Sequence, residues 1–249
     1  MHANSRTVSS NQHGIHDQLD QLVHRHASSP FQKPVTAVSR SAFDHGIHAW
    51  RAAGSAPLIL DAGCGVGLST LKLAQAYPQA FVIGVDQSAD RLGRQLSWPD
   101  RLPQNQVRVR ADLVDFWRLL LDAGIHPEQH YVLYPNPWPK RAHIGRRWHG
   151  HAVFPVIVAL GGRIECRSNW KIYIEEFAAA LQQLSGETVQ CEPYLAGPPE
   201  QTTTALPDAL TPFEEKYRRS GHALWRCLLQ LPATGKAHPC VTMDDSVIR

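Results

Sequence analysis

Residues 58–68 read Leu-Ile-Leu-Asp-Ala-Gly-Cys-Gly-Val-Gly-Leu, and this stretch decides the fold. The short apolar run at its start is typical of a buried strand, and three glycines follow between positions 63 and 67. Glycines at a turn let the backbone adopt left-handed conformations and approach a ligand closely. The next residues, 68–77, are helix-like. The sequence therefore predicts a strand, a glycine turn and a helix, the opening unit of an α/β sheet.

The same alternation continues along the chain. Short apolar runs recur between helix-like segments, at 58–62, 81–85, 107–110, 131–134 and 163–166. Strands separated by helices predict a parallel sheet that is covered on both faces. Two later strands, at 188–191 and 225–231, break this rhythm and are expected to pair as a hairpin at one edge. We therefore expect an α/β fold: a Rossmann-like, doubly wound, seven-stranded and mostly parallel sheet with helices on both faces.

The ends of the chain differ from its middle. Residues 1–39 are polar and rich in His, Gln and Ser, which predicts a flexible N-terminal arm. The sheet domain is expected over residues 40–232. Residues 233–249 have neither strand nor helix periodicity and are interpreted as a C-terminal tail.

Composition narrows the class of protein. With 249 residues, 43% hydrophobic and 19% charged, the chain is neither a coiled coil, a collagen nor wholly disordered. A net charge of +3 is too small to indicate a polyanionic partner by itself, so that question depends on where the charges lie.

The five cysteines form no Cys-x-x-Cys pair, which favours reduced thiols. Without a signal segment or a long apolar run, we expect a cytoplasmic protein with no membrane partner.

Acidic residues accompany the glycine turn. A dinucleotide-binding loop reads Gly-x-Gly-x-x-Gly, but here the third glycine, Gly67, comes one position early. Asp61, at the entry to the turn, fits poorly beside a pyrophosphate and well beside a cationic ligand. Asp86 follows the second strand, where a carboxylate can accept both ribose hydroxyls, and Asp112 follows the third, where it can meet an adenine amino group. These features disfavour an NAD-type oxidoreductase, while a tight turn without a ligand remains the alternative.

The glycine turn and its acid resemble motif I of class I S-adenosylmethionine-dependent methyltransferases. That resemblance implies a cofactor that carries a sulfonium and an amino group but no phosphate. The candidate residues for binding S-adenosylmethionine are Asp61, Gly63, Gly65, Gly67, Asp86 and Asp112.

A stiff loop follows the fourth strand. Residues 134–141 read Tyr-Pro-Asn-Pro-Trp-Pro-Lys-Arg, and the three prolines leave little conformational freedom to lose on binding. A rigid loop at this place in a doubly wound sheet faces the bound nucleotide, and many class I methyltransferases place a reactive polar residue there. Asn136 is therefore the candidate catalytic residue.

Basic and aromatic side chains continue from this loop, with no acid between residues 137 and 151. Such a mixture favours contact with phosphates together with base stacking. The alternative is a solvated basic face. A zinc site built from the nearby histidines is disfavoured, because no Cys or carboxylate stands at ligand spacing. The candidate cations for binding a substrate are Lys140, Arg141, Arg146 and Arg147.

Four segments together resemble the tRNA (guanine-N7-)-methyltransferase family. They are GCGVG at 63–67, PNPWPKRAHIGRR at 135–147, GGRIECRSN at 161–169 and TPFEEK at 211–216. The resemblance covers roughly residues 55–230 and implies S-adenosylmethionine-dependent methylation of N7 of a guanosine in the variable loop of tRNA, without a metal. It adds Asn169, Thr211 and Glu214 to the candidate substrate-binding residues. We expect a monomer or a homodimer.

Two positions depart from the pattern of that family. Asn136 stands where the family has its catalytic Asp, and Ser168-Asn169 stands where it has Thr-Asp. Both changes remove a carboxylate, and an amide stabilises a cationic product base less than a carboxylate does. Glu214 could supply the missing charge if residues 211–216 fold over the pocket. Three interpretations stay open: a tRNA guanine-N7 methyltransferase, a relative that methylates another nucleobase or a small molecule, and a non-catalytic protein that binds RNA or cofactor.

Overall fold

The computed structural model describes residues 5–94, 102–195 and 209–232. Seven strands among these residues form one sheet: β1 (Leu58–Ala62), β2 (Phe81–Asp86), β3 (Gln106–Arg110), β4 (Gln129–Leu133), β5 (Gly162–Ser168), β6 (Cys191–Leu195) and β7 (Leu224–Leu231). Their order is β3-β2-β1-β4-β5-β7-β6. β1 to β5 pair in parallel, and β7 is antiparallel to β5 and β6. The carboxyl ends of the five parallel strands share one edge, where open α/β sheets bind ligands.

Helices cover both faces of the sheet. They are α1 (Leu19–Ala27), α2 (Ala37–Ala52), α3 (Leu68–Ala76), α4 (Ala89–Gly93), α5 (Leu113–Asp122), α6 (Phe154–Ala159), α7 (Lys171–Ser185) and α8 (Pro212–Arg219), with two short 3₁₀ helices at Arg141–Arg146 and Trp148–Gly150. Every residue of β1 and β2 is buried, which explains their continuous apolar runs. Leu60 packs among residues of α2 and α5, whereas its neighbour Ile59 packs with Leu73 of α3 on the opposite face. The predicted fold is confirmed.

The edge hairpin forms, but its first strand begins later than predicted. The sequence places this strand at 188–191, whereas β6 starts at Cys191, which pairs with Cys227 of β7. The reason is the end of α7, where Gly186 caps the helix with a φ of +74°. The chain needs the following residues to cross from the helix to the edge of the sheet, and Val189 is buried on the way.

The N-terminal segment differs from the predicted flexible arm. Its described part, residues 5–36, packs on the sheet domain, because Leu19 and Val23 lie one turn apart on α1 and bury their side chains against α6 and α7. The first helix of the domain also starts earlier than residue 40, since the Thr36 side chain caps α2. The predicted tail at 233–249 lies outside the described residues.

Candidate functional site

The glycine turn connects β1 to α3 at the carboxyl edge of the sheet. Gly63, Gly65 and Gly67 have φ values of +84°, +59° and +85°, conformations that other residues rarely adopt. The amide of Gly63 donates to Val85 O at 2.8 Å, which ties the turn to the end of β2. A Cβ at Gly65 would meet nothing within 4 Å, whereas one at Gly67 would collide with the Arg108 side chain. The turn therefore leaves open space above Gly65.

Asp61 lies beneath this turn rather than in the open space. Its Oδ2 accepts hydrogen bonds from Ser69 Oγ at 2.6 Å and Thr70 Oγ1 at 2.7 Å, both at the start of α3. Burial raises the pKa of the Asp61 carboxyl to about 6, although the two hydroxyls oppose the shift. These contacts give Asp61 a role in holding the turn on the helix, and its direct contact with a cationic ligand stays a prediction.

The other two predicted carboxylates lie on adjacent strand ends. Asp86 is buried, and its two oxygens accept from the amides of Gly65 at 3.0 Å and Ser88 at 2.8 Å. Asp112 caps α5 through a 2.9 Å hydrogen bond from the Val114 amide, and 35% of its side chain is exposed. The acidic edge and the space above Gly65 fit a nucleoside ligand with a cationic centre. Carboxylate oxygens can accept ribose hydroxyls and an adenine amino group there.

The proline-rich loop leaves β4, the sheet neighbour of β1, and so emerges beside the glycine turn. Tyr134 and Trp138 have φ values of +50° and +43°, and such strain in non-glycine residues is common at ligand sites. The exposed Asn136 side chain accepts the Trp138 amide through Oδ1 at 3.3 Å. Because this amide needs an acceptor, the Asn136 oxygen faces the loop and its NH₂ group faces outward.

Three of the four predicted cations are exposed: Lys140, Arg141 and Arg146. The Arg146 guanidinium lies 4.8 Å from the centre of the Trp138 ring, and His143 meets the same ring edge-on at 5.7 Å. Arg141 forms an ion pair with Asp17 of the N-terminal segment at 2.5 Å. We call these residues, 138–146, the basic surface.

The prediction that Arg147 contacts a substrate phosphate is wrong, because its side chain is completely buried. Its Nη1 donates to Glu176 of α7 at 2.5 Å, and its Nη2 donates to Gln12 Oε1 at 3.0 Å. Nε and Nη2 also reach Trp138 O, at 3.3 and 3.2 Å. A buried counter-charge from α7 turns Arg147 inward, and nothing in the local sequence 140–147 signals it.

The remaining predicted residues lie at the ends of β5 and α8. Thr211 caps α8, accepting the Glu214 amide at 3.0 Å. Glu214 is buried, and its Oε2 accepts Arg167 Nη1 at 3.2 Å. Asn169 Nδ2 lies 3.1 Å from His222 Nδ1. Glu214 therefore faces an internal arginine, so it does not supply an unpaired carboxylate.

Arg167 is a residue of this site that the sequence analysis missed. It lies between Glu165, at 2.7 Å, and Glu214, and its guanidinium is 4.0 Å from the centre of the Tyr194 ring. Burial raises the pKa of Glu214, and Arg167 opposes that shift. The signal was available, since alternate residues Glu165 and Arg167 share one face of a strand.

Residues 5–94, 102–195 and 209–232 show neither a metal cluster nor a membrane-spanning helix. No group of three His, Cys, Asp or Glu side chains in these ranges is placed to hold a metal ion. No helix in them is both long enough and apolar enough to cross a membrane.

Comparison with known proteins agrees with this geometry. A family model described as a putative methyltransferase matches residues 55–227. The tRNA (guanine-N(7)-)-methyltransferase of Nitrosospira multiformis is 30% identical over 186 residues, covering 69% of this chain and 73% of the relative. The enzyme of the same name from Methylobacillus flagellatus is 30% identical over 179 residues, covering 68% and 69%.

A solved structure of an antibiotic-related methyltransferase shares the fold. It superposes with a TM-score of 0.51 at 16% identity, covering 82% of this chain and 98% of the other. The family model and the relatives also show that this chain is an enzyme that uses S-adenosylmethionine. The chain belongs to the tRNA (guanine-N7-)-methyltransferase family of class I S-adenosylmethionine-dependent methyltransferases.

Proposed function

We propose that the protein methylates N7 of a guanosine in the variable loop of tRNA. The observation that carries this proposal is the position of the basic surface. Its exposed cations Lys140 and Arg146 and the Trp138 ring continue directly from Asn136, on the loop beside the glycine turn. A polyanion bound there would present its bases to the carboxyl edge of the sheet. The names of the relatives support tRNA as that polyanion.

The carboxyl ends of β1 to β3, which we call the cofactor edge, bind S-adenosylmethionine and orient its methyl group. When bound, S-adenosylmethionine supplies an electrophilic methyl group on a sulfonium sulfur. The residues proposed to hold it are the glycine turn at 63–67 with Asp86 and Asp112, whose carboxylates would accept hydrogen bonds from the nucleoside part. Since the Gly65 amide is tied to Asp86, binding at this carboxylate is coupled to the shape of the turn.

The carboxyl ends of β4 and β5, which we call the acceptor edge, contribute mainly by positioning the base that receives the methyl group. Guanine N7 has an in-plane lone pair and needs no deprotonation, so in-line approach is the main requirement. The outward NH₂ of Asn136 can donate to guanine O6, the acceptor next to N7 on the same edge of the base. Adenine has an amino group at that place and offers this donor no acceptor. Asn136 thus favours guanine without supplying the negative charge that a carboxylate would.

Methylation of another nucleobase is the second candidate function. It is favoured by the charge balance of the acceptor edge, where Asn136 and Asn169 are amides and Glu214 is paired with Arg167. A site that stabilises a cationic product weakly also suits a base whose methylated product is neutral. A small-molecule substrate would leave the basic surface without a use.

Atom replacement in the substrate tests the proposal. A tRNA assembled with guanosine in the variable loop is compared with matched molecules that carry 7-deazaguanosine or adenosine there. We expect labelled methyl transfer to the guanosine tRNA alone, with 7-methylguanosine as the product in nucleoside mass spectrometry. Equal transfer to the 7-deazaguanosine tRNA, or another methylated nucleoside, would show a different acceptor.

A further inference from the structure

We propose that Arg147 is a positioning residue for Asn136, acting through the backbone of residues 138–140. Its guanidinium donates to Trp138 O from Nε and Nη2, and its Nη2 also lies 3.5 Å from Lys140 O. Two carbonyls of the proline-rich loop therefore converge on one buried cation. The kinetic part of this inference rests on the proposed function.

The loop needs such an anchor because its conformation is strained. Trp138 has a φ of +43° without being glycine, and it persists only where surrounding contacts hold it. The Trp138 amide donates to Asn136 Oδ1, so the peptide groups on both sides of Trp138 are engaged. A rotation of Trp138 away from Arg147 would release the Asn136 amide, and with it the direction of the outward NH₂ group.

Arg147 is itself fixed from three sides. Glu176 Oε2 accepts from Arg147 Nη1 and lies 2.9 Å from His149 Nε2, and all three side chains are completely buried. The Trp170 ring lies 4.8 Å from the guanidinium carbon. Gln12 of the N-terminal segment accepts from Arg147 and donates to Glu176 Oε1 at 2.6 Å.

The N-terminal segment therefore contributes to the same anchor. Ser10 Oγ also donates to Pro139 O at 2.6 Å, directly on the loop. The His16 amide donates to Glu176 at 2.9 Å. The cluster thus connects α7, the N-terminal segment and the proline-rich loop. Arg147 contacts the carbonyls of Trp138 and Lys140, and Ser10 contacts that of Pro139.

A structural role and a positioning role predict different outcomes when the ion pair is replaced as a unit. A buried ion pair that only packs can be exchanged for apolar residues of similar volume with little loss, whereas removal of one partner strands a charge. An apolar pair restores packing but provides no donor for Trp138 O and Lys140 O. The double substitution therefore separates stability from positioning.

The experiment compares Arg147→Met, Glu176→Met and the double variant with the wild-type enzyme. We expect both single variants to melt at lower temperature. The double variant should recover part of that loss but not all of it, because Gln12 and the His16 amide still lose their acceptor. In the double variant, the Kd for S-adenosylmethionine stays within about twofold and KM for tRNA changes little, while kcat falls about tenfold or more. Glu175→Gln, one residue away on the same helix, is the matched control. A double variant with wild-type kcat would overturn the inference.

Hydrogen exchange of the Trp138 amide supplies a readout that needs no substrate. We expect it to exchange about tenfold faster in the double variant than in the wild type. If this occurs while the wild type methylates no tRNA, the proposed function fails and the positioning role stands. Unchanged exchange overturns the positioning role whatever the substrate is.

Arg147→Lys covers the case in which the double variant does not fold. Its ammonium keeps the charge beside Glu176 but cannot span that carboxylate and both loop carbonyls. The same fall in kcat, with faster exchange at Trp138, is expected. Wild-type values of kcat and exchange in this variant would contradict the inference.

Discussion

Two parts of this enzyme are built in different ways: the proposed cofactor edge, at the carboxyl ends of β1 to β3, and the proposed acceptor edge, at the carboxyl ends of β4 and β5. At the ends of β2 and β3, turns are fixed by contacts between residues close in the chain, such as the Ser88 amide on Asp86 and the Val114 amide on Asp112. At the ends of β4 and β5, the loop is fixed by side chains far apart in the chain, such as Gln12 and Glu176, which are 164 residues apart. A local motif therefore describes the first edge, while the second depends on the completed fold.

The two edges also treat charge differently. The Asp61 carboxylate accepts from two hydroxyl groups, and Asp86 accepts from two amides and lies 3.6 Å from the exposed Arg91 guanidinium. The buried acids of the acceptor edge pair with buried arginines instead, Glu176 with Arg147 and Glu214 with Arg167. Internal neutralisation of this kind leaves the exposed cations of the basic surface, such as Lys140 and Arg146, as the charges available to the proposed substrate.

The largest expected effect concerns the acceptor edge in acid. Contacts with His149 and Arg147 outweigh burial and hold the pKa of Glu176 near 2, below its usual 4.5. A lowered carboxyl pKa stabilises the fold above the unfolded pKa, so about 3 kcal/mol is lost as the pH falls from about 4.5 towards 2. Urea denaturation of the wild type at several pH values should show this loss, and Glu176→Gln should show less of it. An equal acid dependence in Glu176→Gln would contradict the assignment, and Glu175→Gln is the control.

The next effect concerns the cofactor edge. Asp86→Ala removes the acceptor of the Gly65 amide and the proposed ribose contact, so affinity for S-adenosylmethionine should fall by roughly 1.5–3 kcal/mol. Calorimetry measures this directly. Asp90→Ala, an exposed acid on nearby α4, should bind like the wild type. Unchanged affinity in Asp86→Ala would remove Asp86 from the cofactor site.

Salt dependence tests the basic surface. With Arg147 buried, three cations remain, and three phosphate contacts imply a roughly twenty- to fortyfold loss of tRNA affinity between about 50 and 200 mM salt. Lys140→Ala with Arg146→Ala should leave a slope of about one contact. An exposed arginine away from this surface, Arg51, supplies the control substitution. If the double variant kept the wild-type slope, the basic surface would be only a solvated face.

The smallest expected effect comes from Asn136→Asp. The new carboxylate can still accept the Trp138 amide, but its second oxygen would replace the NH₂ group that is proposed to donate to guanine O6. Two acceptors would then face each other, and we expect this loss to outweigh the added negative charge near the cationic product. Single-turnover rates on tRNA should therefore fall by about three- to tenfold at saturating cofactor. A clear increase with the fold intact would count against donation from Asn136 to guanine O6.

The contrast between the edges also explains what could be read from the sequence. β1 was predicted at its observed bounds, and the three glycines of the turn at 63–67 have the positive φ values that their spacing suggests. Burial of Arg147 could not be predicted, because Arg146 and Arg147 are adjacent arginines in the same basic stretch. Only the distant Glu176, which pairs with Arg147, makes one of them buried and leaves the other exposed. Gln12 was missed for the same reason, since a polar residue in a polar segment gives no sign of burial.

Nucleoside mass spectrometry of tRNA tests the central claim most directly. Digested tRNA from a strain that lacks this protein is compared with tRNA from the same strain after the wild-type gene or the Asp86→Ala gene is restored. The account predicts that 7-methylguanosine is lost without the protein, returns with the wild type and returns poorly with Asp86→Ala. Unchanged 7-methylguanosine, together with the loss of a different methylated nucleoside, would contradict it.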